Sequence, residues 1–292
     1  MLVREKIIES PNLTELEKTI ATYFLENESD LKNESARNVA LKLYVSPSTI
    51  IRFCQKIGFE GYNDFREAFL EEAAYLNRHF NGIDPNRPFT KQDSNEVIAN
   101  KIGSLYQETI ADSLSLLSSR ELEKAAEIIN KSKNIVICSA GDTIEMGRTF
   151  KNRMIKLGRN VILDDRLDNL FYEACNASLT DCFILISYSG ETSRLLRIAK
   201  KLKEKKIKVI IITSYGENSL SNLFSCKLYI STREKLVDNL GNFSTLISVS
   251  FILDTLYACY FSMNYELNIH TRRKNSFEFE YKRKSQNPLI ND

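Results

Sequence analysis

The stretch CFILISYSGET, residues 182–192, decides how the second half of this chain is built. Residues 182–186 form a continuous apolar run, and Leu195, Leu196, Ala199 and Leu202 follow at helical spacing. The local order is therefore strand, hydroxyl-rich turn, helix. Such a turn aims backbone N–H groups, hydroxyls and the positive end of a helix dipole at one point, where an anion is the natural occupant. Ser189 is the N-cap candidate, Thr192 the N3 residue, and Gly190 gives a ligand close access to the backbone. The same hydroxyls also fit an ordinary helix cap. Three of them, at Ser187, Ser189 and Thr192, on one turn beside a buried-type strand favour a phosphate site.

Around this stretch, apolar runs alternate with helical patterns: NIVIC (134–138), NVIL (160–163), CFILIS (182–187), VIIIT (209–213) and KLYI (227–230). Continuous Ile, Val and Leu predict strands buried on both faces, and the alternation predicts a five-stranded, parallel, doubly wound sheet. Ligands of such sheets bind beyond the carboxyl ends of the strands. The 187–192 turn lies at such an end. Helices are predicted over 104–117 and 120–130.

The first 77 residues carry no strand pattern. Thr14 and Glu17 form a capping-box signature, followed by Ile20, Phe24 and Leu25 on one face. A second helix is predicted from Ser35 to Leu43. Ser46 as N-cap and Pro47 at the first helical position start a third, whose Ile50, Phe53, Cys54 and Ile57 face inward before Gly58 ends it. Its other face carries Ser48, Thr49, Arg52, Gln55 and Lys56. Residues 41–57 hold Lys42, Arg52 and Lys56 and no acid, whereas residues 1–80 as a whole hold ten Lys or Arg against thirteen Asp or Glu. A basic second helix in a short helix-turn-helix pair is where a DNA-reading helix is expected. A plain helical bundle with a solvated polar face fits the same pattern.

Composition adds bounds. The chain of 292 residues has room for two domains, its 43% hydrophobic and 27% charged residues are those of a globular protein, and its net charge of +2 says nothing by itself about nucleic acid. Six cysteines form no C-x-x-C pair and read as reduced thiols of a cytoplasmic protein. Two histidines far apart suggest no metal site, and no cofactor is expected. The apolar segment 246–261 is too short to span a bilayer and holds Asp254, so it reads as a buried or interface helix rather than a membrane span. Residues 78–103, whose run HFNGIDPNRPFTKQDSN (79–95) holds two prolines and a glycine and shows no periodicity, read as an interdomain linker. The tail 265–292, with six Lys or Arg against four acids, has no assigned role.

The runs LTELEKTIATYFLEN and SARNVALKLYVSPSTIIRFCQKIGFEGYNDFR resemble the N-terminal helix-turn-helix domain of the RpiR family of bacterial transcription regulators. ISYSGET, ITSYGENSLSNLFSCKLYIS and NFSTLISVSFILDTLYACY resemble the SIS, or sugar isomerase, domain that follows it in that family. The resemblance spans roughly residues 10–262. It implies an all-α helix-turn-helix domain (1–77), the linker (78–103) and an α/β SIS domain (104–264). Ser46, Ser48, Thr49, Arg52 and Lys56 would face double-stranded DNA. Ser187, Ser189 and Thr192, helped by backbone N–H groups from 189 to 192, would hold a phosphorylated sugar, with Gly190 and Gly141 in the binding turns and Gly241 closing the pocket. A homodimer or homotetramer would place two reading helices on an operator.

Three positions depart from the family pattern. Tyr44 stands where Gly is frequent in the inter-helix turn, which strains that turn slightly and is tolerable if the residue stays out of the left-handed region. Lys156 stands where Arg is frequent. The first strand-to-helix turn, usually Gly-rich with a sugar-contacting Ser, is Cys138, Ser139, Ala140, Gly141 and Asp142. Asp142 and Glu145 satisfy a capping signature, so Asp142 reads either as a cap or as a pocket carboxylate that accepts from hydroxyls or an amine and repels phosphate. Three functions are open: a regulator whose operator binding is controlled by a phosphorylated sugar or amino sugar, a sugar-phosphate isomerase with an accessory domain, or an α/β protein whose N-terminal bundle only dimerises. Isomerisation needs a base at the C1–C2 protons. The α/β region has no histidine, and Glu173 and Glu234 read as surface residues. The regulator is the favoured expectation.

Overall fold

The computed structural model describes residues 3–280 apart from 9, 11, 29 and 77–81, together with 283–287, 289 and 291. The chain divides into two compact units, Met1–Gly82 and Ile83–Asp292.

The first unit is helical: α1 (Val3–Ile8), α2 (Glu15–Glu26), α3 (Ala36–Lys42), α4 (Pro47–Lys56) and α5 (Tyr62–Leu76). Its core is aromatic, with Phe24 4.6 Å from Phe65 and Phe65 stacked 5.5 Å from Phe69, closed by Ile20, Val39, Ile50 and Phe53. The sequence signals act at the helix ends. Thr14 and Glu17 make the full capping box, and Ser46 accepts from the Thr49 N–H at 3.2 Å with Pro47 behind it. Helices α3 and α4 terminate the same way. Val45 N–H bonds the Ala40 carbonyl, and Phe59 N–H bonds that of Cys54. In each motif the residue between must turn left-handed. Gly58 does so at φ 94° without strain, but Tyr44 does so at φ 55°. The condition under which Tyr44 would sit in this turn without strain is thus not met: the six-to-one bond closing α3 places it in the left-handed region.

The second unit contains α6 (Asn95–Leu116), α7 (Ser119–Lys131), β1 (Asn134–Cys138), α8 (Ile144–Ile155), β2 (Asn160–Leu163), α9 (Leu167–Asn176), β3 (Asp181–Ser187), α10 (Ser193–Glu204), β4 (Lys208–Ser214), β5 (Lys227–Ile230), α11 (Phe243–Met263) and α12 (Tyr265–Glu280). The five strands match the predicted runs to within one residue at each end. They form one parallel sheet in the order β2-β1-β3-β4-β5. Alternate side chains divide between two cores. Cys182, Ile184 and Ile186 pack with α7, α8 and α11 on one face, while Phe183 and Leu185 pack with α9 and α10 on the other. Burial on both faces is why these strands read as unbroken apolar runs.

Two segments differ from expectation. Residues 83–94 are not a free linker. Pro85 and Pro88 are buried in the second unit, and α6 starts at Asn95 behind the Ser94 cap rather than at 104. Residues 78–81 of the expected linker lie outside the described residues. Helix α11 is also longer than the apolar run suggested, and among the described residues it alone is long and apolar enough to cross a membrane. Here Val249, Ile252, Leu253 and Leu256 are buried against the sheet layer. The start of the 265–292 tail is helical, as α12.

Candidate functional site

On the first unit, α4 presents Ser46, Ser48 and Arg52 to solvent with Thr49 half-buried. Ser46 Oγ lies 2.8 Å from both the Ser48 and Thr49 hydroxyls while capping the helix, so these three form one hydrogen-bonded cluster at its start. Lys56 is at the far end, and its Nζ is engaged by Glu17 at 2.8 Å and by the Asn12 carbonyl at 3.1 Å. Lys42 is likewise paired with Glu34. The two lysines of the basic segment are therefore partly neutralised within the unit. Arg52 is exposed on the same α4 face as Lys56.

In the second unit, strand order reverses between β1 and β3, the switch point where a crevice opens at the carboxyl edge of a doubly wound sheet. A cavity of about 280 Å³ lies there. From the turn after β1 it is lined by Ala140, Gly141, Asp142 and Thr143, and from the turn after β3 by Ser187, Tyr188, Ser189 and Thr192. Lys235, Leu236, Asn242, Thr245 and Leu246 close it from the segment around the start of α11.

The β3 turn is built differently from its sequence reading. Thr192, not Ser189, is the N-cap of α10, and its side chain makes no cap hydrogen bond. Its hydroxyl lies 3.1 Å from that of Ser187. The N–H of Gly190 donates to Ser187 Oγ at 3.2 Å and that of Glu191 to Ser189 Oγ at 3.1 Å. Those two N–H groups, expected to assist a ligand, are satisfied inside the turn. The first N–H groups of α10 have no partners within the helix and point their dipole at the hydroxyls.

Gly190 also has another task. It is buried at φ 67°, and a Cβ there would sit 2.0 Å from Asn218 Oδ1. On the side a Cβ would occupy, its backbone is met by the next loop. Leu220 N–H bonds the Gly190 carbonyl at 3.1 Å, and Ser219 N–H bonds Glu191 at 2.7 Å. The segment ITSYGENSL thus braces ISYSGET from behind.

Asp142 is exposed at the cavity and accepts from Asn242 Nδ2 at 3.3 Å. It caps nothing: α8 starts after Thr143, which makes no side-chain cap bond. The cavity wall therefore joins a carboxylate on one side to three hydroxyls and a helix start on the other; Lys235 also lines it, with its ammonium group 3.6 Å from Asp238.

Glu234 corrects a further expectation. It is buried, and its carboxylate accepts from the N–H groups of Ser244 (2.9 Å) and Thr245 (2.7 Å) and from the Thr245 hydroxyl (2.6 Å). It is the built-in anion at the start of α11. Glu173 is exposed, as expected. Gly241 lies beside the cavity wall without lining it. The sequence missed Thr143, Lys235, Asn242 and Thr245. Their only signal was the Gly-Asn pair before α11, where Asn242 turns left-handed at φ 53°.

Residues 1–75 match the helix-turn-helix domain of the rpiR family, and residues 128–258 match the SIS domain. The chain belongs to the RpiR family of transcriptional regulators. Solved structures similar to this RpiR-family chain include the NanR protein of Vibrio vulnificus complexed with ManNAc-6P, at 20% identity and TM-score 0.62, covering 98% of this chain and 100% of that one. The sugar isomerase domain of an RpiR transcription factor from Sphaerobacter thermophilus covers 60% of this chain and 96% of its own at 13% identity and TM-score 0.53. A sugar-phosphate isomerase homologue from Listeria monocytogenes covers 64% and 98% at 19% identity and TM-score 0.51. At such identities the likeness is one of fold. The RpiR assignment rests on the two domain matches.

Proposed function

We propose that this RpiR-family regulator binds operator DNA through α4 and that a phosphorylated sugar in the β1/β3 cavity controls that binding. The observation that carries the effector reading is the contrast between two helix starts at one cavity. Helix α11 has its anion already, the Glu234 carboxylate. Helix α10 has none and faces the Ser187, Ser189 and Thr192 hydroxyls. A dianionic phosphate supplies acceptors for those donors and charge for that dipole. Asp142 then falls to the sugar, accepting from hydroxyls or an amine. The complex of the similar NanR protein with ManNAc-6P supports the same ligand class.

Asp142 is the one carboxylate among the residues lining the cavity, and Glu234 is filled by its own helix. This supports a sensor over an isomerase. The test is a thermal-shift panel of N-acetylmannosamine 6-phosphate, glucosamine 6-phosphate, fructose 6-phosphate and inorganic phosphate, paired with gel shifts on the DNA upstream of the gene. A compound that raises Tm in the parent but not in a Ser189→Ala, Thr192→Ala double variant, and that alters the gel shift, supports the reading. Turnover of any of the sugar phosphates into its ketose or aldose isomer would replace it with the isomerase.

A further inference from the structure

The segment 231–242, whose Lys235, Leu236 and Asn242 wall the cavity, is held by the residues that open the second unit. Asn86 makes three bonds to it. Its Oδ1 accepts from Lys235 N–H at 2.7 Å, its carbonyl accepts from Leu240 N–H at 3.1 Å, and its Nδ2 donates to the Arg233 carbonyl at 3.4 Å. Arg233 returns the connection, donating to the Ile83 carbonyl at 3.0 Å while its other terminal nitrogen bonds Glu108 on α6 at 3.1 Å. Arg87 pairs with Asp238, and the Phe89 and Phe243 rings meet edge-to-face at 6.4 Å. Asp84 holds Asn86 in position, accepting from its backbone N–H and its Nδ2 at 2.9 Å each. On the cavity side, the Tyr188 hydroxyl of the ISYSGET turn donates to the Glu234 carbonyl at 2.6 Å.

We propose that Asn86 is the positioning residue of the effector cavity, and that residues 83–89 form a strap which reads the cavity wall and passes its state to the start of the second unit. The proposal rests on the effector reading above and adds the path. A ligand that draws Lys235 or Asn242 inward must move the N–H groups of Lys235 and Leu240. Those groups are bonded to one residue, Asn86, four positions beyond the first unit's last residue, Gly82. The coupling can be no larger than the ligand's differential affinity for the two positions of the wall. The DPNRP sequence (84–88) has the composition of a linker and the bonds of a latch.

Hydrogen exchange followed by mass spectrometry on the full chain tests this in two arms. Without ligand, Asn86→Ala should speed exchange of peptides covering 233–242 by about tenfold while leaving those of β3 and β4 unchanged. Unaltered exchange at 233–242 overturns the proposal. With N-acetylmannosamine 6-phosphate, glucosamine 6-phosphate or inorganic phosphate, the parent should show altered exchange at 187–192, 233–242 and 83–89 together, and Asn86→Ala should lose the response at 83–89 alone. A response at 187–192 with none at 83–89 overturns the strap and leaves the effector reading intact. No response at 187–192 to any of the three removes the effector reading, and the strap with it. Arg87→Ala, which breaks only an exposed pair, should give a smaller change in the same direction.

Discussion

The Lys56 ammonium group lies 2.8 Å from Oε2 and 3.0 Å from Oε1 of Glu17, joining the end of α4 to the first turn of α2. Glu17 also completes the capping box with Thr14. The Lys56 hydrogen bond, followed by the Thr14 backbone N–H, holds the Glu17 carboxyl below its ordinary value of 4.5. A folded-state value below the unfolded one contributes stability that is present above about pH 4.5 and lost as pH falls through the folded value. Urea unfolding of the parent should therefore weaken on acidification below pH 4.5. Glu17→Gln should be less stable at pH 7 and should lose part of that acid dependence. Parallel pH profiles for the two proteins would remove the pair from the account.

The same pair changes what α4 offers to DNA. Arg52 is exposed on the helix face, whereas Lys56 must leave Glu17 before it meets a phosphate. Arg52→Ala should weaken operator binding by about 1–3 kcal/mol if the guanidinium reads a base. Lys56→Ala should cost less and lower the salt dependence of binding by at most about one unit of slope. Gel shifts at several salt concentrations separate the two. Equal losses for both variants would restore Lys56 to the reading face.

Tyr44 holds φ 55° with its side chain fully in solvent. A left-handed conformation costs a non-glycine residue about 1–2 kcal/mol, and glycine gives back part of that gain through a looser unfolded chain. Tyr44→Gly should therefore stabilise the first unit by about 0.5–1 kcal/mol in urea unfolding. If its affinity for DNA falls at the same time, the exposed ring, not the backbone, is what this position supplies to the complex.

Gly190 gives the opposite sign. A methyl group there meets Asn218 at 2.0 Å in a left-handed backbone, so Gly190→Ala should cost about 2 kcal/mol or more. Asn218→Ala should recover part of this by removing the obstructing amide, although it also frees Ser221 N–H and Thr213 Oγ1, both bonded to that side chain. Thermal unfolding of the two single variants and the double measures the coupling. Additive losses would mean that Asn218 yields without cost.

What the sequence made legible follows from the range of each signal. Strands buried on both faces are apolar at every position, so their limits could be read within a residue. Helix starts at Thr14, Ser35 and Ser46 are set by bonds spanning three residues and were equally plain. The strap was misread because its meaning lies about 150 residues away: Asp84, Pro85, Asn86 and Pro88 have linker composition, and only the 233–240 segment makes them a latch. Glu234 and Lys56 failed for the same reason, since a charged side chain shows its partner only in three dimensions. ISYSGET was right in its elements and wrong in detail, because a hydroxyl-rich turn can satisfy its N–H groups internally or present them to a ligand, and the pattern is the same for both.

Asp142 sets the sharpest expectation for the cavity. It faces the space shared with Ser187, Ser189, Thr192 and Lys235, and its bond to Asn242 at 3.3 Å leaves its charge uncompensated by any cation at that contact. A carboxylate at partly screened range from a phosphate dianion opposes it by about 1–2 kcal/mol. Asp142→Asn should thus bind inorganic phosphate about tenfold more tightly, because the repulsion goes and the amide keeps a hydrogen-bonding group toward Asn242. Glucosamine 6-phosphate should respond less or lose affinity, because its ammonium group forfeits a charged acceptor. Calorimetric titration of both compounds against parent and variant gives the answer. Equal gains for the two would mean that Asp142 only repels, and that the sugar lies against another wall.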